Sequence, residues 1–92
     1  MLSSAQKRSL SAKAHALKPV VLMGQQGLTE AVLKEIDRAL LAHELIKIKL
    51  TGTDRAKKDS LGELIAQKTQ ATVIHIRGFL LTLYRQKLKE HS

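Results

Sequence analysis

The residue pattern predicts an α/β domain of the two-layer α+β type, ordered α-β-α-β-α-β-β, with a four-stranded mixed sheet packed by helices. Three observations carry this. Apolar residues recur at helical spacing in three separate stretches. Short apolar or strictly alternating runs separate those stretches, as strands between helices would. Gly78-Phe79 then divides two further strand-like runs, a hairpin signal. Ninety-two residues are one domain's worth, so residues 1–92 are read as a single unit with a polar tail from about 86.

Leu10, Ala14 and Leu17 fall at i, i+4 and i+7, and Ser3 with Gln6 has the spacing of a capping box. These predict a first helix over about residues 4–16, ended by Lys18-Pro19 because proline disfavours helix in the residue before it. Residues 20–23 form a continuous apolar run bounded by Pro19 and Gly24, which reads as a buried strand. Gly24-Gln25-Gln26-Gly27 is a turn. Thr29 suits the N-cap of a second helix, with Glu30 in its first turn and Leu28 and Leu33 at hydrophobic-staple spacing. Val32, Ile36, Ala39, Leu40 and His43 continue one stripe to about residue 43. Residues 46–51 alternate strictly, placing Lys47 and Lys49 on one face of a half-buried strand. Asp54 suits the N-cap of a third helix running through Leu61, Leu64 and Ile65 to about residue 69, with Gly62 as a weak point inside it. Residues 72–77 and 80–85 complete the hairpin. The strand–helix–strand connections favour parallel pairing, and the hairpin is antiparallel.

Sixteen Lys and Arg against eight Asp and Glu give a net charge of +8, distributed in patches. Residues 1–24 carry Lys7, Arg8, Lys13 and Lys18 with no acid, and residues 47–58 carry five bases against Asp54. A basic surface facing a polyanion fits this distribution. The absence of cysteine excludes disulfide and thiolate chemistry. No run has the length of a signal-peptide core or a membrane span, so a soluble, cytoplasmic protein with no membrane partner is expected.

The GQQG turn is the sharpest local feature. Glycine tolerates positive φ and close approach of a phosphate, and the following helix N-terminus presents N–H groups and the positive end of its dipole. Alone, the motif is weak and favours an ordinary strand-to-helix turn over a phosphate loop. It is not a nucleotide loop, since Leu28-Thr29 stands where the Walker pattern needs Lys-Ser/Thr. Lys47 and Lys49, followed by Arg55, Lys57 and Lys58, have the order needed to track a phosphate backbone. The two strand lysines equally suit an edge charged against strand pairing. With only Phe79 and Tyr84 as aromatics, the pattern favours recognition of phosphates and shape over base-by-base stacking. Catalytic readings fare badly. His15, His43, His75 and His91 are scattered without metal-ligand spacing, and Asp59 and Glu63 read as a solvated helix face. No enzyme activity, cofactor, metal or small-molecule substrate is expected.

The segment Leu17-Lys18-Pro19-Val20-Val21-Leu22-Met23-Gly24-Gln25-Gln26-Gly27-Leu28-Thr29 resembles the opening of bacterial YhbY proteins, stand-alone CRM (chloroplast RNA splicing and ribosome maturation) domains. Glu44-Leu45-Ile46-Lys47-Ile48-Lys49, Asp54-Arg55, Gly78 and Leu83-Tyr84-Arg85 follow in matching order, so the resemblance spans about residues 4–86. It implies a fold similar to the C-terminal domain of translation initiation factor 3. It also implies a KH-like Gly-x-x-Gly loop for RNA and a role with rRNA in precursors of the large ribosomal subunit. Carried over by position, Gly24, Gln25, Gln26 and Gly27 are the RNA-contacting loop, flanked by Lys18, Lys47, Lys49, Arg55, Lys58 and Arg85. Two positions depart from the pattern. Phe79 stands where members often carry a base, and Gln70 where a glycine often ends the third helix. The expected partner is a structured rRNA bound by a monomer. The rival readings are a permanent ribosomal protein and a binder of another structured RNA such as an intron.

Overall fold

The computed structural model describes residues 2–24, 26–51, 54 and 56–86. The elements come in the expected order: α1 (Ser4–Ala14), β1 (Val21–Met23), α2 (Glu30–His43), β2 (Leu45–Leu50), α3 (Lys58–Thr69), β3 (Thr72–Arg77) and β4 (Leu80–Tyr84). One mixed sheet has the order β1-β2-β4-β3. Helix α1 packs on one face; α2 and α3 pack together on the other.

Pairing differs from the expectation at one crossover. β1 and β2 are parallel, joined through α2, whereas β4 is hydrogen-bonded antiparallel to both β2 and β3 and so lies between them. The chain leaves β2, crosses through α3 to the far edge, and the tight hairpin at Gly78-Phe79 then returns β4 into the gap. Gly78 has φ +59 at the first of the two turn residues, as a II′-type hairpin requires.

The core lies between the sheet and α2 and α3. Val21 and Met23 from β1, Ile46, Ile48 and Leu50 from β2, and Leu81 and Leu83 from β4 meet Ile36, Leu40, Ile65 and Ala66. Alternation along β1 corrects the reading of residues 20–23 as fully buried. Val20 and Leu22 are 49% and 62% exposed, because β1 is an edge strand whose second face extends past the cover of α1. Gly62 has a packing reason: an added methyl would stand 2.8 Å from Ile76 Cδ1, so glycine lets α3 lie close on β3.

Local chemistry explains the helix ends. Ser3 and Gln6 form the reciprocal capping box, and the Thr29 hydroxyl accepts from Val32 N–H at 3.2 Å. Helix α1 stops at Ala14, two residues earlier than its periodicity suggested, and Leu17 is 37% exposed. Asp54 does not cap α3. Lys57 occupies that position without a side-chain cap, and the Asp54 carbonyl instead accepts from Lys57 N–H at 3.0 Å. Helix α3 ends in a Schellman arrangement with Gln70 left-handed at φ +58 and Ala71 N–H donating to the Ala66 carbonyl at 2.9 Å. Strand β4 ends at Tyr84, after which Arg85 N–H donates to the Glu44 carbonyl at 2.9 Å. His43, expected inside an apolar stripe, is exposed at the end of α2.

Candidate nucleic-acid interface

Strand direction sorts the predicted residues into two groups. β1 and β2 run the same way, so their C-terminal ends, the start of β4 and the N-termini of α2 and α3 share one end of the molecule. At that end Gly27 N–H donates to the Gly24 carbonyl at 3.0 Å, closing the turn, with Gly27 at φ +77. Gln26 is exposed, while Gln25 and Arg55 lie outside the described residues. Thr51 braces the turn's entry: its N–H and its hydroxyl both donate to the Met23 carbonyl, at 3.0 and 2.6 Å. Exposed Lys57 begins the approach to α3. Lys58 Nζ donates to the Gly78 carbonyl at 2.6 Å and sits 5.4 Å from the Phe79 ring centroid.

Lys49 is exposed on the α1 face of β2, level with Leu22 and Leu80 and one residue short of that end. Lys47 is half-buried further back on the same face. Lys18 precedes β1 and Arg85 follows β4, so both stand at the opposite end. Arg85 is heavily engaged: Nη1 donates to Asp37 Oδ1 at 2.7 Å and to the Thr69 carbonyl at 2.9 Å, and Nη2 to the Asp37 carbonyl at 3.2 Å. Thus the structure gathers the glycine turn, Lys49, Lys57 and Lys58, and separates Lys18 and Arg85 from them. Sequence reasoning missed Thr51 and the approach of the β3–β4 turn to this end, where the Leu50 N–H donates to the Phe79 carbonyl at 2.7 Å. Cross-strand neighbours leave no mark in local periodicity.

The two glycines of the turn have different reasons to be glycine. Gly27 needs its positive φ. Gly24 does not have one, and among the described residues a methyl added there meets no atom within 4 Å, its chain neighbours aside. Among the described residues, packing therefore leaves room for a side chain at Gly24. The helix dipoles of α2 and α3 bring partial positive charge to the same end, partly offset by Glu30 and Asp59 in their first turns.

On the α1 face His75 bridges layers, with Nδ1 3.0 Å from Ser11 Oγ and Nε2 3.2 Å from Thr82 Oγ1. Burial, then the charges of Arg77, Lys47 and His15, hold its pKa below the usual histidine value. A neutral ring satisfied by two hydroxyls is a structural contact. Among the described residues no cluster of His, Asp, Glu or Cys suits a metal ion, and no helix is long and apolar enough to cross a membrane.

Three helices on a mixed four-stranded sheet, with a Gly-x-x-Gly turn leading into a helix, define a small α+β domain built around an exposed loop end. The chain belongs to the CRS1/YhbY (CRM) domain family, whose profile matches residues 2–85. It is 48% identical over 84 residues to a Haemophilus influenzae protein named as an RNA-binding protein, covering 91% of this chain and 85% of that one. A Bacillus subtilis protein named a probable RNA-binding protein is 31% identical, with 94% and 90% covered. A Staphylococcus aureus solution structure, described as that of a candidate RNA-binding protein, superposes with a TM-score of 0.84 at 29% identity, covering 99% of this chain and 95% of that one. These relatives are named as binding proteins, not as enzymes.

Proposed function

We propose that this chain binds structured RNA at the end formed by the Gly24–Gly27 turn, the N-termini of α2 and α3, and Lys49, Lys57 and Lys58, with Arg55 added to the contacts on its sequence position alone. The RNA we assign is rRNA in a precursor of the large ribosomal subunit, met in the cytoplasm by a monomer. One observation carries the site. Gly24 is exposed, and among the described residues nothing but its chain neighbours lies within 4 Å of where a side chain would begin, so its backbone is open to close approach by a phosphate. The names of the relatives support RNA as that partner. The lysines supply sequence-independent affinity, and the turn with the α2 N-terminus sets the register of a phosphate.

If about five phosphates are neutralised, affinity falls roughly 500-fold between 50 and 200 mM salt. An affinity indifferent to salt is incompatible with the reading. The subunit assignment is tested by sucrose-gradient sedimentation of lysates carrying the native protein or a folded Gly24→Asp variant, which puts a carboxylate where the phosphate is placed. Native protein migrating with large-subunit precursors, and variant remaining at the top, supports it. Native protein at stoichiometry in mature subunits favours a permanent ribosomal component. Native protein at the top of the gradient rejects stable ribosomal association.

A further inference from the structure

Phe79 is an aromatic side chain the fold does not use. It is 40% exposed at the tip of the β3–β4 hairpin and takes no part in the core. A II′-type turn calls for glycine at its first central position, met by Gly78, and sets no requirement for an aromatic at the second. The residue is nevertheless held firmly. Its carbonyl accepts from Leu50 N–H at 2.7 Å, and Lys58, tied to the Gly78 carbonyl at 2.6 Å, sets its ammonium 5.4 Å from the ring centroid. A fixed cation beside a partly exposed ring makes a surface that suits an electron-rich, anionic ligand with a flat face.

Position strengthens this. Phe79 is hydrogen-bonded to Leu50, Leu50 is level with Met23 on β1, and Gly24 follows Met23. With strands about 4.8 Å apart, the Phe79 backbone stands roughly 10 Å from Gly24. That is about three stacked nucleotide steps at ~3.4 Å each.

We propose that Phe79 is a stacking platform for one unpaired base of the bound RNA, with Lys58 holding the ring and neutralising an adjacent phosphate. This rests on the RNA reading of the glycine-turn end and adds a preference to it: a helix interrupted by an unpaired nucleotide over an uninterrupted one. The remaining contacts track phosphates, so a single platform gives preference for a structural feature without a sequence code.

The test compares the native protein with Phe79→Leu, Phe79→Trp and Gly24→Ala. Each is titrated against a fully paired RNA hairpin and against the same hairpin carrying one unpaired adenosine in the stem. Phe79→Leu removes an exposed ring and no backbone bond, so it leaves the fold intact. It is expected to lose about tenfold or more in affinity for the interrupted hairpin and less than about twofold for the paired one. Phe79→Trp is expected to retain the native preference. Equal losses on both RNAs, or no loss on either, overturn the stacking assignment. If Gly24→Ala weakens both RNAs while Phe79→Leu changes neither, the loop reading stands and the platform falls. If only Phe79→Leu acts, the platform stands and the loop reading falls. A native protein with no affinity for either RNA overturns both.

Discussion

Replacing Arg85 by methionine separates a structural tie from a binding contact. The guanidinium joins the end of β4 to two helices, through the Asp37 side chain and carbonyl on α2 and the Thr69 carbonyl at the last residue of α3. The Asp37 side chain is 51% exposed, so the ion pair contributes only tenths of a kcal/mol to about 1 kcal/mol. The bond to the Thr69 carbonyl matters more. It is partly buried, involves a charged donor, and places a cation at the C-terminus of α3 where the helix dipole favours one. Methionine keeps most of the stem's packing but leaves those carbonyls without their donor. The loss is about 2 kcal/mol, which for a domain of this size lowers Tm by roughly 8–16 °C. Thermal unfolding followed by far-UV circular dichroism measures it. RNA affinity, measured well below the new Tm, is expected to stay within about twofold, since Arg85 stands at the end opposite the glycine turn. A stability loss below about 0.5 kcal/mol together with a large loss of RNA affinity refutes this reasoning and returns Arg85 to the binding surface.

Gln70→Gly relieves a left-handed non-glycine residue at φ +58 and is expected to stabilise the protein by about 0.5–1 kcal/mol in urea unfolding, unfolded-state entropy offsetting part of the gain. His75, with its pKa depressed in the fold, binds its proton more readily when unfolded. Its contribution is therefore complete above the usual value of about 6.5 and is lost as pH falls from there towards the lower native value. Urea midpoints at about pH 7.5 and about 5.5 should differ less in His75→Gln than in the native protein; an unchanged difference rules out His75 as a source.

Elements with a local signature were legible in the sequence. The Ser3–Gln6 box, the Thr29 cap, the Lys47/Lys49 alternation and the Gly78 turn all appear where spacing placed them. What depended on distant residues was not. The insertion of β4 between β2 and β3 has no trace in either strand's pattern. A β-bulge between Val73 and His75 resets the alternation of β3, keeping Val73 and Ile76 level with buried Leu83 and Leu81 and His75 level with Thr82. Without it, the strict period of two puts His75 level with Leu81. For the site, the residue types were readable but their grouping was not. Lys18 and Arg85 are basic like Lys57 and Lys58, yet strand direction places them at the far end. The contrast between Gly24 and Gly27 likewise needs φ and surroundings, which composition does not carry.

The most direct test of the account is the Gly24→Ala variant, assayed for stability and RNA affinity together. With no positive φ and, among the described residues, no atom but its chain neighbours within 4 Å of the added methyl, its stability should be unchanged or up to about 1 kcal/mol higher. Its affinity for a structured RNA hairpin at low salt should fall at least about tenfold, the cost of one charge-assisted contact to a phosphate. A folded variant that binds as the native protein does would contradict the central claim that RNA approaches the backbone at this turn.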